Sequence, residues 1–424
     1  MNIEHASQEQ LRLWEHQLAA DYAAIVARKL NLDLTRGKPS AEQLSLSDDL
    51  DGILKGNYKS LDGTDTRNYG GGEGLPEARA LGAAILDASP SETLALGNSS
   101  LTLMFQCLLN AVQFGFDGPD SAWHKRGKMT FICPTPGYDR HFTLCEQLGI
   151  QMIAVDMGPE GPNMDQVEQL IDQDPSICGM WCVPKYANPT GVTYSDAVVD
   201  RMAKLAKRAQ PGFRIFWDNA YAVHDLAEPQ TLASIMAACN IAGTQDSVIQ
   251  FASTSKITHA GAGVAFVAMS ARNLTSFKTF LNSQSIGPDK VNQLRHMRLL
   301  PDMAHLRNHM QAHARILQPR FDAVSSALDA AFTGTDLGQW ETPKGGYFVS
   351  FDTQPGCAQL VVQMAAEAGV KLTPAGATFP YGKDPQDRNI RIAPSVPSVA
   401  EVIAAMEVFV TCVKLASVRR KLAA

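Results

Sequence analysis

Residues 7–30 carry Leu11, Leu13, Trp14, Leu18, Tyr22, Ile25, Val26 and Leu30 at roughly helical spacing among polar and charged positions. That period predicts one amphipathic helix whose apolar stripe is covered by the body of the protein or by a second subunit. From about residue 60 to 300 the pattern changes. Short apolar runs at 93–96, 130–133, 151–155, 179–183, 214–217, 248–252 and 263–269 alternate with helical stretches such as 100–112 and 194–209. Such alternation predicts a large, doubly wound α/β domain on a mostly parallel sheet, with ligands bound beyond the carboxyl ends of the strands. A third pattern follows. A long helix over 305–328 leads to a strand at 347–351, a helix near 358–368, a strand at 389–392 and a final helix from 399 to about 415. These elements predict a smaller α+β domain joined to the large one by the long helix.

The chain has 424 residues, more than one compact core usually holds. The expected division is 1–55, an N-terminal helix and loop packing with the small domain; 56–305, the large domain; and 306–424, the linking helix and small domain. No internal repeat or low-complexity segment is visible.

Composition narrows the class. Hydrophobic residues make up 45% and charged residues 19%, a globular balance without disorder bias. A net charge of -6 argues against a nucleic-acid surface. The eight cysteines form no CxxC pair, and the spacing in Cys178-Gly179-Met180-Trp181-Cys182 is wrong for a zinc knuckle. They read as reduced thiols in a reducing compartment, so a cytoplasmic location and no bound metal are expected. The N-terminus shows no basic segment followed by an apolar stretch, and no run of about 18 apolar residues suggests a membrane span.

The chemistry is carried by order. Asn188-Pro189-Thr190-Gly191 is followed by Asp218-Asn219-Ala220-Tyr221, and then by Ser253-Thr254-Ser255-Lys256 after an apolar run. Singly, these are a turn, a helix cap or turn residue, a core tyrosine and a solvated lysine. Together they supply what a pyridoxal phosphate ring needs at its phenolic oxygen, its ring nitrogen and its aldehyde carbon. Gly97-Asn98-Ser99-Ser100-Leu101 follows a predicted strand and opens a helical stretch, where amides and hydroxyls suit a phosphate.

These motifs, with the Thr35-Arg36-Gly37-Lys38-Pro39-Ser40 loop, make the chain resemble the fold-type-I pyridoxal-phosphate aminotransferases. The likeness runs from about residue 33 to 395 and is nearest to the aspartate aminotransferase subgroup with that loop. The resemblance implies that Lys256 forms the internal aldimine and then moves a proton between Cα and C4′. Asp218 would keep the pyridine nitrogen protonated, while Tyr221 and Asn188 hydrogen-bond the phenolic oxygen. Ser99, Ser100 and Ser253 would take the phosphate. Tyr138 matches the family's ring-stacking position, and Tyr69 the tyrosine that reaches the phosphate of the neighbouring subunit, which implies a homodimer with shared active sites.

Arg391, inside an apolar strand, matches the arginine that grips the substrate α-carboxylate with its planar fork. Arg36 and Lys38, with the Gly37 amide, are the loop candidates for a distal carboxylate; Arg67 and Arg140 are further cations. One departure stands out. Many relatives carry a phosphate-binding arginine eight residues after the lysine, but the segment from Lys256 to Val264 has none, leaving His259 as one possible substitute.

The implied activity is transamination between an amino acid, most simply L-aspartate or L-glutamate, and a 2-oxo acid. Another amino-acid specificity, or a PLP lyase reaction on the same ring, is the alternative. A cofactor-sensing regulator would need an added DNA-binding domain, and only a single helix precedes the Thr35–Ser40 loop.

Overall fold

The computed structural model describes residues 1–423. Its strands, in chain order, are β1 (Leu32–Asp33), β2 (Thr93–Ala95), β3 (Thr130–Thr135), β4 (Gln151–Gly158), β5 (Gly161–Pro162), β6 (Ile177–Cys182), β7 (Arg214–Asp218), β8 (Val248–Ser253), β9 (Ala265–Met269), β10 (Gly338–Trp340), β11 (Val349–Thr353), β12 (Val370–Lys371) and β13 (Asn389–Ile392). Eight of them form one sheet in the order β2-β9-β8-β7-β6-β3-β4-β5. The run from β4 through β3, β6 and β7 to β8 is parallel, and β9 returns antiparallel.

Every residue of β3, β6 and β7 is buried, as a sheet covered on both faces requires. Alternation along the strands then decides which core each side chain joins. Phe131, Cys133, Trp181, Phe216 and Phe251 meet the helices Ser100–Gln113 and Ala271–Asn282 on one face. Ile132, Met180, Cys182, Ile215 and Trp217 meet the helices Met164–Gln173, Asp196–Lys204 and Ile235–Ala242 on the other.

A separate core lies around the antiparallel sheet β10-β11-β13. The helices Met303–Phe332, Ala358–Glu367 and Val399–Ala423 surround it. Leu11, Leu18 and Ile25 of the first helix, Gln8–Ala27, are buried in that same core, and β1 pairs in parallel with β12. The ends of the chain are therefore neighbours.

Some element bounds differ from those the pattern predicts. The final helix continues to Ala423 because Leu415, Ala416, Ser417 and Val418 are all buried. The strand expected at 347–351 begins at Val349; Tyr347 and Phe348 lie in the turn before it, where Gly346 has φ +80. All eight cysteines are buried and unpaired. Among the described residues, no helix is long and apolar enough to cross a membrane.

Candidate active site

The carboxyl ends of β7 and β8 lie side by side, with Asp218 opposite Phe251. Asp218 closes β7, and Lys256 follows the end of β8 by three residues. Asp218 is 2% exposed. Its Oδ2 meets His141 Nε2 at 3.0 Å, while its Oδ1 is buried without a hydrogen-bond partner. A buried carboxylate oxygen left bare is costly, so this atom is suited to a donor brought in by a ligand.

Among the described residues, Lys256 has no carboxylate partner within salt-bridge distance. Its ammonium lies 5.2 Å from the centre of the Tyr221 ring and 6.0 Å from that of Tyr347. Burial pulls its pKa below the ordinary lysine value; the Asp218 charge opposes that shift and the Arg391 charge adds to it. A lowered pKa enlarges the neutral, nucleophilic fraction of an amine. Burial pushes the Tyr221 phenol well above its usual pKa, so it stays a hydrogen-bond donor.

His141 was not singled out from sequence. It lies on the first turn of the helix Asp139–Gln147 and stacks on Trp181, with ring centres 4.1 Å apart and planes 7° from parallel. The stack orients Nε2 toward Asp218. Tyr138, at the N-cap of the same helix, meets the His141 ring edge-on at 5.0 Å. Its pKa is pushed up to about 12 by burial and then by the Asp218 charge.

Arg391 is central in β13 and 6% exposed. Its Nη1 donates to Asp139 Oδ1 at 2.9 Å and to Asn188 Oδ1 at 3.3 Å, its Nε donates to Thr373 Oγ1 at 3.3 Å, and Phe348 lies against its face at 4.8 Å. With the Asn188 oxygen turned to Arg391, its NH₂ is left to donate elsewhere. Thr373 donates to Thr35 O at 2.9 Å and Ser395 donates to Lys38 O at 2.8 Å. These bonds tie the Thr35–Ser40 loop beside Arg391. Arg36 and Lys38 are exposed and make no ion pair among the described residues, whereas Arg67 is held by Asp65.

Ser99 caps the helix Ser100–Gln113, its Oγ accepting from Thr102 N. Ser253 and Ser255 are joined through their hydroxyls, and Ser255 Oγ donates to Asn98 O at 2.9 Å. The lysine segment is thereby stitched to the Gly97–Ser100 turn. A cavity of about 210 Å³ opens at that helix start, lined by Gly72, Gly97, Asn98, Ser99 and Thr102. Val264, eight residues after Lys256, is fully buried in an apolar cluster. His259 lies 3.9 Å from Asp48. Tyr69 is 84% exposed, in a loop held by Lys290 Nζ through the carbonyls of Asn68 and Gly70.

Comparison with known proteins gives a consistent picture. A family model described as aspartate amino-transferase matches residues 6–424. An aspartate aminotransferase of Corynebacterium glutamicum is 41% identical over 420 residues, 98% of this chain and 96% of that one. A solved aspartate transaminase structure from the same organism superposes with a TM-score of 0.96, covering 99% of both chains at 41% identity. At 20% identity, the α-aminoadipate aminotransferase LysN of Thermus thermophilus, solved with N-(5'-phosphopyridoxyl)-L-leucine, shares the fold with a TM-score of 0.74 over 95% of this chain and 97% of that one.

Proposed function

The chain belongs to the aspartate aminotransferase family, and on that premise we propose that it exchanges amino groups between L-aspartate or L-glutamate and 2-oxo acids, using pyridoxal 5′-phosphate anchored on Lys256. The protein is an aminotransferase of fold type I, and its reaction is transamination. The observation that carries the cofactor assignment is a half-satisfied carboxylate, Asp218, set at a strand end adjacent to that of a buried lysine which, among the described residues, forms no ion pair.

The residues present fit the cofactor. The bare Oδ1 of Asp218 accepts a ring N–H, and the Asn188 amide and Tyr221 hydroxyl are donors for a phenolic oxygen. Ser99 and Ser100 lie at a helix start, where backbone amides favour phosphate, and Ser253 is linked to that turn through Ser255. Tyr138 is the stacking residue. When bound, pyridoxal 5′-phosphate supplies the electron-poor ring that takes up the charge released at the substrate Cα.

The chain's own residues do the rest. Asp218 holds a proton at the ring nitrogen, and His141 holds Asp218. Lys256 would hold the cofactor through its Nζ and, as a free amine, would take the proton from the substrate Cα. Arg391 fixes the α-carboxylate, which orients that C–H bond. Arg36 and Lys38, with the Gly37 amide, receive the distal carboxylate.

We further propose a homodimer in which Tyr69 serves the partner's phosphate site; its exposure within one chain supports this. For the division 1–55, 56–305 and 306–424, the support is that Leu11, Leu18 and Ile25 join the core around β10-β11-β13, to which the middle segment adds only residues such as Val183, Tyr186 and Tyr221. The eight unpaired thiols support a cytoplasmic location.

An absorbance titration of the purified protein with L-aspartate tests the reading. Aspartate should abolish the visible cofactor band with release of oxaloacetate, and 2-oxoglutarate should restore it. A yellow protein indifferent to aspartate would move the specificity to another amino acid. A protein unable to take up the cofactor would refute the role of Lys256.

A further inference from the structure

Behind Lys256 lies a buried polar cluster that the reaction as described does not use. Gln43, fully buried, is its hub. Its Oε1 accepts from Ser40 N at 3.1 Å, closing a capping box on the short helix Ala41–Ser45. Its Nε2 donates to Tyr347 Oη at 2.8 Å and lies 2.9 Å from His313 Nδ1. Tyr347 Oη in turn donates to the carbonyl of Lys256 at 3.3 Å. His313 Nε2 and His309 Nε2 lie 2.8 Å and 2.7 Å from the carbonyl of Ile257.

Chemistry fixes the proton positions. A carbonyl only accepts, so both Nε2 atoms carry hydrogen. His313 is neutral at physiological pH, its pKa lowered to about 4 by burial and then by His309. Its Nδ1 is therefore bare and accepts from Gln43. Both amide protons of Gln43 are in use, and its oxygen is in use on the opposite side. No other side chain offers two donors and one acceptor in that planar arrangement except asparagine, which is one methylene shorter.

Ser40 ends the loop that carries Arg36, Gly37 and Lys38. The carbonyls of Lys256 and Ile257 belong to the turn that carries the catalytic amine. We propose that Gln43 is a positioning residue that couples the Thr35–Ser40 loop to the lysine-bearing turn, through Tyr347 to Lys256 O and through His313 to Ile257 O. A substrate carboxylate drawing on the loop would then be felt at the backbone of Lys256. This inference rests on Lys256 being the cofactor anchor.

The test uses the holoenzyme and its Gln43→Leu, Gln43→Glu and Tyr347→Phe variants. The readouts are the pH midpoint of the visible cofactor band and amide hydrogen exchange over residues 33–40 and 254–258. Gln43→Leu should shift the midpoint by about half a unit or more and should speed exchange in both segments. Gln43→Glu keeps the acceptor for Ser40 N but has no amide protons to give, so it should shift the midpoint as Gln43→Leu does while leaving 33–40 protected. Tyr347→Phe should shift the midpoint while leaving 33–40 protected, because the capping box survives.

Faster exchange confined to 33–40, with an unmoved midpoint, would overturn the coupling. Should Gln43→Leu fail to fold, an unmoved midpoint in Tyr347→Phe overturns it equally. Persistence of the native band in Lys256→Ala would instead remove the premise about Lys256, a separate failure.

Discussion

Asp139 Oδ1 lies 2.9 Å from Arg391 Nη1, so the guanidinium assigned to the substrate already holds a carboxylate of its own. Asp139 is the first residue of its helix, where the unpaired amides favour a negative charge. An incoming α-carboxylate must compete with it or share the fork. Asp139→Asn keeps the shape and removes the charge. KM for aspartate, and the inhibition constant of an unreactive dicarboxylate such as maleate, should fall roughly three- to tenfold, about 1 kcal/mol, with kcat changed little. Unchanged or weaker carboxylate binding in steady-state kinetics would sink the competition argument.

His141→Leu leaves both Asp218 oxygens without a protein partner. The carboxylate loses its orientation toward the ring nitrogen, and kcat should fall roughly ten- to a hundredfold, with weaker cofactor retention on dialysis. Asp218→Asn should cost more, roughly a hundred- to a thousandfold in kcat. If His141→Leu proved as active as the native enzyme, the stack on Trp181 would be packing alone.

Arg36→Ala and Lys38→Ala should raise KM for aspartate roughly tenfold or more while leaving alanine kinetics nearly unchanged, since alanine has no distal carboxylate. Gly37→Ala should raise KM by another route, for alanine as well as for aspartate. A Cβ there would lie 2.5 Å from Phe348 Cζ and 3.0 Å from Tyr347 Cβ, and Phe348 is the ring against Arg391. Equal losses for aspartate and alanine in the Arg36 and Lys38 variants would move the distal site elsewhere.

Acid should destabilise the protein through its buried imidazoles. Burial lowers the pKa values of His224, His296, His309 and His313, so below pH 6.5 the unfolded chain binds more protons than the folded one. Their contribution to stability is complete above the ordinary value of 6.5 and is lost as the pH falls toward the folded value, about 4 for His313. For His313 the loss is roughly 3 kcal/mol over that window. Thermal unfolding between pH 7 and 5 should show a falling Tm, and His313→Leu should flatten the fall. A Tm that stays level would contradict this.

What could be read in the sequence follows from distance along the chain. Asp218 with Tyr221, and Ser253 with Lys256, are short spacings at strand ends, and the apolar runs before them predict β7 and β8. The pairing of His141 with Asp218 spans 77 positions. The spacing of Tyr138 and His141 puts both at the start of one helix, which offered a signal that was not used. Nothing in the sequence points to Thr373 linking Arg391 with Thr35, or to Gln43 beneath Lys256, because both depend on how the two cores meet. The expected helix ends are short for a similar reason: 415–418 are apolar enough to continue, but only tertiary burial tells the chain to do so.

The shared core of the chain's two ends has a consequence for biosynthesis. Leu11, Leu18 and Ile25 are covered by partners such as Val402, Phe409 and Val413, and Ile3 N and Glu4 N are held by Asp336. Residues 8–27 are synthesised long before residues 399–423, so they meet these partners late. The large sheet can assemble during translation, but the amphipathic helix Gln8–Ala27 must wait, apolar stripe uncovered, until the helix Val399–Ala423 is released. During that interval it is a surface that chaperones can grip, and deleting the helix Val399–Ala423 would leave its stripe without those partners.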